Sequence, residues 1–171
     1  MTTEHKVFIG IGLATVLIMA GGIFLFTKQD ERLSKPLLGQ EIKVESRNHL
    51  PDGTQITYNS NPPAGGDHYA IPQHAGIYDK PPADGNLVHS LEHGAVILWY
   101  KADLSKSDVE KLKNIFNQIS GKGIMVPRKN LDVPVAVTSW GRLLKLQTID
   151  EKQIKAFFET NMNRGLEQAP I

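Results

Sequence analysis

The sequence predicts an α+β protein: a single N-terminal transmembrane helix, then one mixed-sheet domain with two helices and a long Pro/Gly-rich loop region at its start. Three observations carry that reading. Val7 to Phe26 contains no charged residue, and a run of ~20 apolar residues is long enough to cross a bilayer as a helix. From Ala95 onward, strand-like and helix-like patterns follow one another in the order β-α-β-β-β-α, which suits a mixed sheet covered by helices. Between them, His49 to Asn86 is crowded with turn residues, including Pro51-Asp52-Gly53, Pro62-Pro63, Gly65-Gly66, Pro81-Pro82 and Asp84-Gly85.

The chain divides accordingly into a short tail (1–6), an anchor (7–26), a linker (27–48) and an α+β domain (49–171). The apolar run reads as an anchor rather than a cleaved signal peptide, because no small-x-small cleavage site follows it and Phe24-Leu25-Phe26 prolong it. Lys6 precedes it, whereas Lys28, Arg32 and Lys35 follow it. That balance alone leans towards a cytoplasmic C-terminus, but long exported domains translocate largely regardless of charge. The linker is polar and poorly periodic, with a short strand expected around Ile42 to Val44. A second short strand is expected at Gln55 to Tyr58.

The later elements have sharper signals. Ala95 to Tyr100 is short, apolar and rich in β-branched and aromatic residues, as a buried strand should be. Ser105 and Asp108 form a capping pair for a helix that buries Val109, Leu112, Ile115, Phe116 and Ile119 and stops at Gly121. Ile124 to Val126 reads as a strand ended by Pro127. Val133–Ser139 and Arg142–Gln147 read as a hairpin about Trp140-Gly141. A last helix starts at Asp150, with Gln153 completing its cap, and buries Ile154, Phe157, Phe158 and Met162. The closing β-β-α order is compatible with a thioredoxin-like arrangement, which without cysteines would be a scaffold only.

Composition narrows the function. The net charge of +1 gives no electrostatic footprint for nucleic acid. The absence of cysteine removes disulfides, thiolate metal sites and cysteine nucleophiles. A transition-metal site must then use imidazole, carboxylate, thioether or backbone groups. The histidines supply the candidates. His89 and His93 lie four apart, directly before the apolar strand. They share a side whether the approach is extended or helical. The metal reading takes His89 and His93 as ligands, His68 as the third and His49 as a fourth, with copper placed before zinc. Glu92 orients a ligand imidazole in that reading. Met125 is a candidate soft ligand for Cu(I), with core packing as its alternative.

Two other readings compete. His89-Ser90-Leu91-Glu92-His93 matches H-x-x-E-H, in which two histidines on one helix bind zinc and the glutamate activates water. Gly94 and the following strand oppose the long helix this needs, so the enzyme reading is placed last. Alternatively the domain is a structural or protein-interaction module whose histidines only fix loops. His74 reads as a surface residue, and His5 is given no role.

Asn61-Pro62-Pro63-Ala64-Gly65-Gly66-Asp67-His68-Tyr69, Gly76-Ile77-Tyr78 and Val88-His89-Ser90-Leu91-Glu92-His93-Gly94-Ala95-Val96 together resemble the bacterial and archaeal family termed domain of unknown function 3105. Pro134 to Arg142 and Asn163-Arg164-Gly165 extend the resemblance, which covers roughly His49 to Pro170. Gly65 stands where Ser is usual, and Asp67 where Pro is. The resemblance implies a small cell-membrane protein, the inner membrane where there are two, with the N-terminus inside and the domain outside. It implies no established activity. A role in metal handling or envelope maintenance, with an envelope protein as partner, is what the metal reading leads one to expect.

Overall fold

The computed structural model describes residues 3–171. It forms two units, Met1–Pro36 and Leu37–Ile171. The first is one helix, α1 (Thr3–Ser34). Its stretch Phe8–Thr27 is long and apolar enough to cross a membrane, and at about 1.5 Å per residue it spans roughly 30 Å. Phe8, Leu17, Ile18 and Phe26 stand exposed on it. An apolar helix at this position serves as a membrane anchor or a signal sequence.

The second unit is built on a six-stranded sheet. Its strands are β1 (Gln40–Glu41), β4 (Gly76–Ile77), β5 (Val96–Lys101), β6 (Gly123–Arg128), β7 (Val135–Ser139) and β8 (Arg142–Leu146). They lie in the order β1-β8-β7-β5-β6-β4. β5 is central, parallel to β6 and antiparallel to β7. It is buried on both faces, which explains its unbroken apolar run. Helix α3 (Lys106–Phe116) makes the crossover from β5 to its parallel neighbour β6, and Ser105 caps it by accepting from the Asp108 amide. Helix α4 (Glu151–Asn161) is capped by Asp150, which accepts from the amide of Gln153 and from its side chain. Both helices cover one face. There Val96, Leu98, Met125 and Val137 pack with Leu112, Ile115, Phe157 and Phe158.

The opposite face carries a third helix that the sequence reading does not include, α2 (Asp84–Glu92). Leu87 and Leu91 of α2 pack on Ile97, Trp99, Ile124 and Ala136. Arg128 holds its first turn: the guanidinium forks onto Asp84 at 2.8 and 3.1 Å and lies over the Trp99 ring at 5.1 Å. A separate parallel ladder of two short strands, β2 (His49–Leu50) and β3 (His68–Tyr69), completes this side, with His49 opposite His68.

Some boundaries differ from expectation for identifiable reasons. Residues 37–48, part of the expected linker, contribute β1 to the sheet through its pairing with β8. The strand expected at Ile42 to Val44 is instead Gln40–Glu41. Gln55 to Tyr58 alternates in exposure like a strand but is not part of either sheet. Pro127 does not end β6, which runs on to Arg128. The Met125 carbonyl accepts from Tyr78 on the β4 side. Pro127, two residues on, faces the same way past the end of β4, so its missing N–H breaks no ladder bond.

Candidate metal centre

The last turn of α2 supplies three of the relevant side chains, because His89, Glu92 and His93 fall at i, i+3 and i+4 and share a face. The helix stops there through a Schellman motif. The Gly94 amide donates to Leu91 O at 2.9 Å and the Ala95 amide to Ser90 O at 2.9 Å, with Gly94 at φ 84°. This turns the chain directly into β5, so the histidines sit at the start of a buried strand paired on both sides. Ser90, between them, donates to Gln73 O and accepts from the Gln73 amide, both at 2.8 Å, binding the Pro/Gly-rich loop to the helix. Gly85 permits the same closure, since a Cβ there would strike the Tyr69 ring.

The ladder β2-β3 brings the remaining two histidines over the helix. The Asp67 carboxylate locks it, accepting from the Asn48 amide at 2.7 Å and from the Asn48 side chain at 3.0 Å. These bonds hold its carboxyl below the usual range. The rings of His49, His68 and His89 then form a near-regular triangle, with centroids 4.7, 4.8 and 4.8 Å apart. Glu92 enters the same space, its Oε2 3.0 Å from His68 Nε2 and 3.9 Å from His49 Nε2. One donor atom from each of His49, His68, His89 and Glu92 lies within 4.8 Å of all the others.

The hydrogen bonds on the outer side of each ring decide which nitrogen faces inward. His68 Nδ1 donates to Gly66 O at 2.8 Å, and His89 Nδ1 donates to Tyr69 O at 2.7 Å. His93 Nδ1 donates to Pro170 O at 2.8 Å. A carbonyl can only accept, so each Nδ1 carries a proton and each ring turns its Nε2 inward. Metal-binding histidines are commonly arranged this way, since an outer acceptor fixes tautomer and orientation. His68 Nε2 is fully buried and makes no hydrogen bond among the described residues. It lies 3.0 Å from Glu92 Oε2, so a proton or a metal cation between the two joins them. Burial pushes His89 down to about 4, outweighing the Tyr69 hydrogen bond, with the neighbouring histidines adding in the same direction. The ring is therefore neutral near pH 7.

His49, His68, His89 and Glu92 converge, while His93 adjoins the group through His89, its Nε2 3.0 Å from His89 Nε2 and 3.4 Å from Glu167 Oε2. The H-x-x-E-H residues thus divide their roles differently from the zinc-peptidase pattern. They lie on one helical turn, as that pattern needs, but Glu92 points among the donors. Sequence reasoning missed Glu167 and Pro170, which no local motif marks. It also gave no weight to Asp67, whose ladder-closing bonds explain why a carboxylate stands there. Met125 and Met162 pack in the core beneath α3 and α4, and His74 is exposed.

These features define an α+β domain with a candidate imidazole–carboxylate metal centre, preceded by an apolar helix. The chain belongs to the family described as protein of unknown function DUF3105, whose model matches residues 49–170. No curated protein matches it, and no solved structure does.

Proposed function

We propose that this protein is a membrane-anchored, extracytoplasmic domain that binds one transition-metal ion through His49, His68, His89 and Glu92, with His93 beside them. The observation that carries the reading is the buried Nε2 of His68, without a hydrogen bond among the described residues and facing the Glu92 carboxylate, within a set of rings whose outer nitrogens are held by backbone carbonyls. Three imidazoles and a carboxylate suit Zn(II) and Cu(II), and raw affinity favours Cu(II). With both core methionines turned to the far face of the sheet, Cu(I) loses its thioether support. The bound ion would supply a Lewis-acidic or exchangeable cation at the edge of β5. His68 and Glu92 are buried, whereas the His49 side chain is 51 % exposed, so the ion exchanges with solvent more readily than in a closed structural site. That suits metal handling in the envelope, with donor or acceptor proteins as partners.

The apolar stretch Phe8–Thr27 supports single-pass anchoring in the cell membrane. The family resemblance supports an inside N-terminus. The zinc-hydrolase alternative draws on the helical path through His89 and Glu92, but it needs Glu92 as a base rather than a ligand.

Metal analysis of the full chain in detergent, before and after titration with Cu(II), Zn(II) and Ni(II), tests the reading. One equivalent is expected in the parent and none in the His89→Ala/His93→Ala double variant. A folded parent that takes up none of the three ions contradicts it and leaves the histidines as architecture.

A further inference from the structure

We propose that His89, His93 and Glu167 form a second cation position, joined to the first through His89 and open to solvent through Glu167. The inference rests on the metal-binding reading and extends it. His89 and His93 stand one turn apart on α2, so their Nε2 atoms meet at 3.0 Å. Both rings donate through Nδ1, to Tyr69 O and Pro170 O, which turns both Nε2 atoms towards each other. Glu167 Oε2 lies 3.4 Å from His93 Nε2. Three atoms of metal-ligating type thus adjoin one another, linked in the metal-free chain by the short contact between the two Nε2 atoms. A cation satisfies all three.

The C-terminal tail is built to hold Glu167 there. The Glu167 amide donates to Glu92 O at 3.0 Å, and the Asn163 amide to Gly94 O at 2.8 Å. Lys122 Nζ ties the tail to the end of α2, donating to His93 O at 2.7 Å and to Ala169 O at 2.5 Å. Gly165 lies so close to Glu92 O and Gly94 that any Cβ would collide with their backbone. The side chains grade inward from solvent: Glu167 is 51 % exposed, His93 10 %, and His89 is buried.

His89 has a single inward lone pair, so it serves one position at a time. One ion then has two alternative seats, a buried one with four donors and an outer one with three. The outer seat, with fewer donors and an open side, is the weaker and faster-exchanging of the two. An ion pivoting on His89 reaches His68 and Glu92 without those buried groups having to separate.

The test is a double-mutant cycle on the full chain in detergent, using Zn(II) in competition with a chromophoric chelator at fixed neutral pH. The variants are His49→Ala, Glu167→Gln and both together. Both side chains are half-exposed, and melting curves confirm that each variant is folded. In the parent the ion occupies the inner seat, so Glu167→Gln changes affinity by less than about twofold. With His49 removed the ion relies on the outer seat, and Glu167→Gln then weakens binding by about tenfold or more. An equal effect in both backgrounds makes Glu167 a partner of a single resident ion and overturns the proposal. No effect in either background overturns it as well. A parent that binds no Zn(II) ends both this proposal and the metal reading, which separates the two failures.

Discussion

Both faces of the sheet bury an apolar core, but the α2 face carries a polar layer over it. Beneath α3 and α4, Phe157, Phe158, Leu112 and Met125 fill an apolar core. Between α2 and the β2-β3 ladder, the contacts that matter are backbone carbonyls on imidazole N–H groups, a carboxylate on an amide, and a carboxylate against a buried imidazole nitrogen. The first face is stable because it removes apolar surface from water. The polar layer is ordered yet incomplete, because the buried His68 Nε2 has no hydrogen bond among the described residues. An apolar core beneath an incomplete polar layer is how a fold holds a site still without satisfying it.

That contrast is broken most severely on the apolar face. Phe157→Ala leaves a cavity in the fully buried core and should cost about 3–5 kcal/mol. Chemical denaturation should show this loss equally with and without metal, since Phe157 touches no donor.

Glu92→Gln sharpens the comparison on the other face. The amide can donate to His68 Nε2, so the metal-free protein should melt no lower than the parent. Metal affinity should fall by at least ~100-fold, more than the loss of an outer-sphere partner. The parent's stabilisation by metal, about 2.7 kcal/mol at a hundredfold excess over Kd, should vanish in the variant. The hydrolase reading makes the opposite forecast, with zinc retained and activity lost.

The pH dependence of the metal-free protein follows from His89. Its folded pKa of about 4 lies below the ordinary 6.5, so between these values the unfolded chain binds the extra proton. Stability is therefore full above about 6.5 and falls as pH drops towards 4. Denaturation midpoints across that window should flatten in His89→Gln.

The smallest effect belongs to the clip that carries His49. Asp67→Ala removes two hydrogen bonds to Asn48 on a partly exposed ladder, each worth about 0.5–1.5 kcal/mol. Melting should shift by a few degrees, while metal affinity drops severalfold because His49 is no longer held over His68.

What the sequence revealed divides along the same line. β5, α3, the β7-β8 hairpin and α4 were legible because apolar burial imposes a period and N-caps mark the helix starts; Ser105 and Asp150 stand where the structure uses them, whereas α3 ends at Phe116 rather than at Gly121. Helix α2 was not. Its nine residues follow two prolines and open on Asp84-Gly85, a turn signal, and it is held by tertiary contacts: Leu87 and Leu91 on the sheet, and Arg128 on Asp84. Strands of two residues, such as β2 and β3, have no period to read. The histidines could be named because side-chain chemistry is visible in sequence. Their arrangement could not, because Gly66, Tyr69 and Pro170 act through carbonyls that every residue has. Glu167 reaches His93 across 74 positions, with nothing local to announce it.

The most direct test of the central claim is X-ray absorption spectroscopy of the full chain loaded with one equivalent of Zn(II) or Cu(II). The expected spectrum shows three imidazoles and one carboxylate oxygen at about 2.0–2.2 Å, with no sulfur. A shell of light scatterers lacking the multiple-scattering signature of imidazole, or a sulfur at about 2.3 Å, would contradict it.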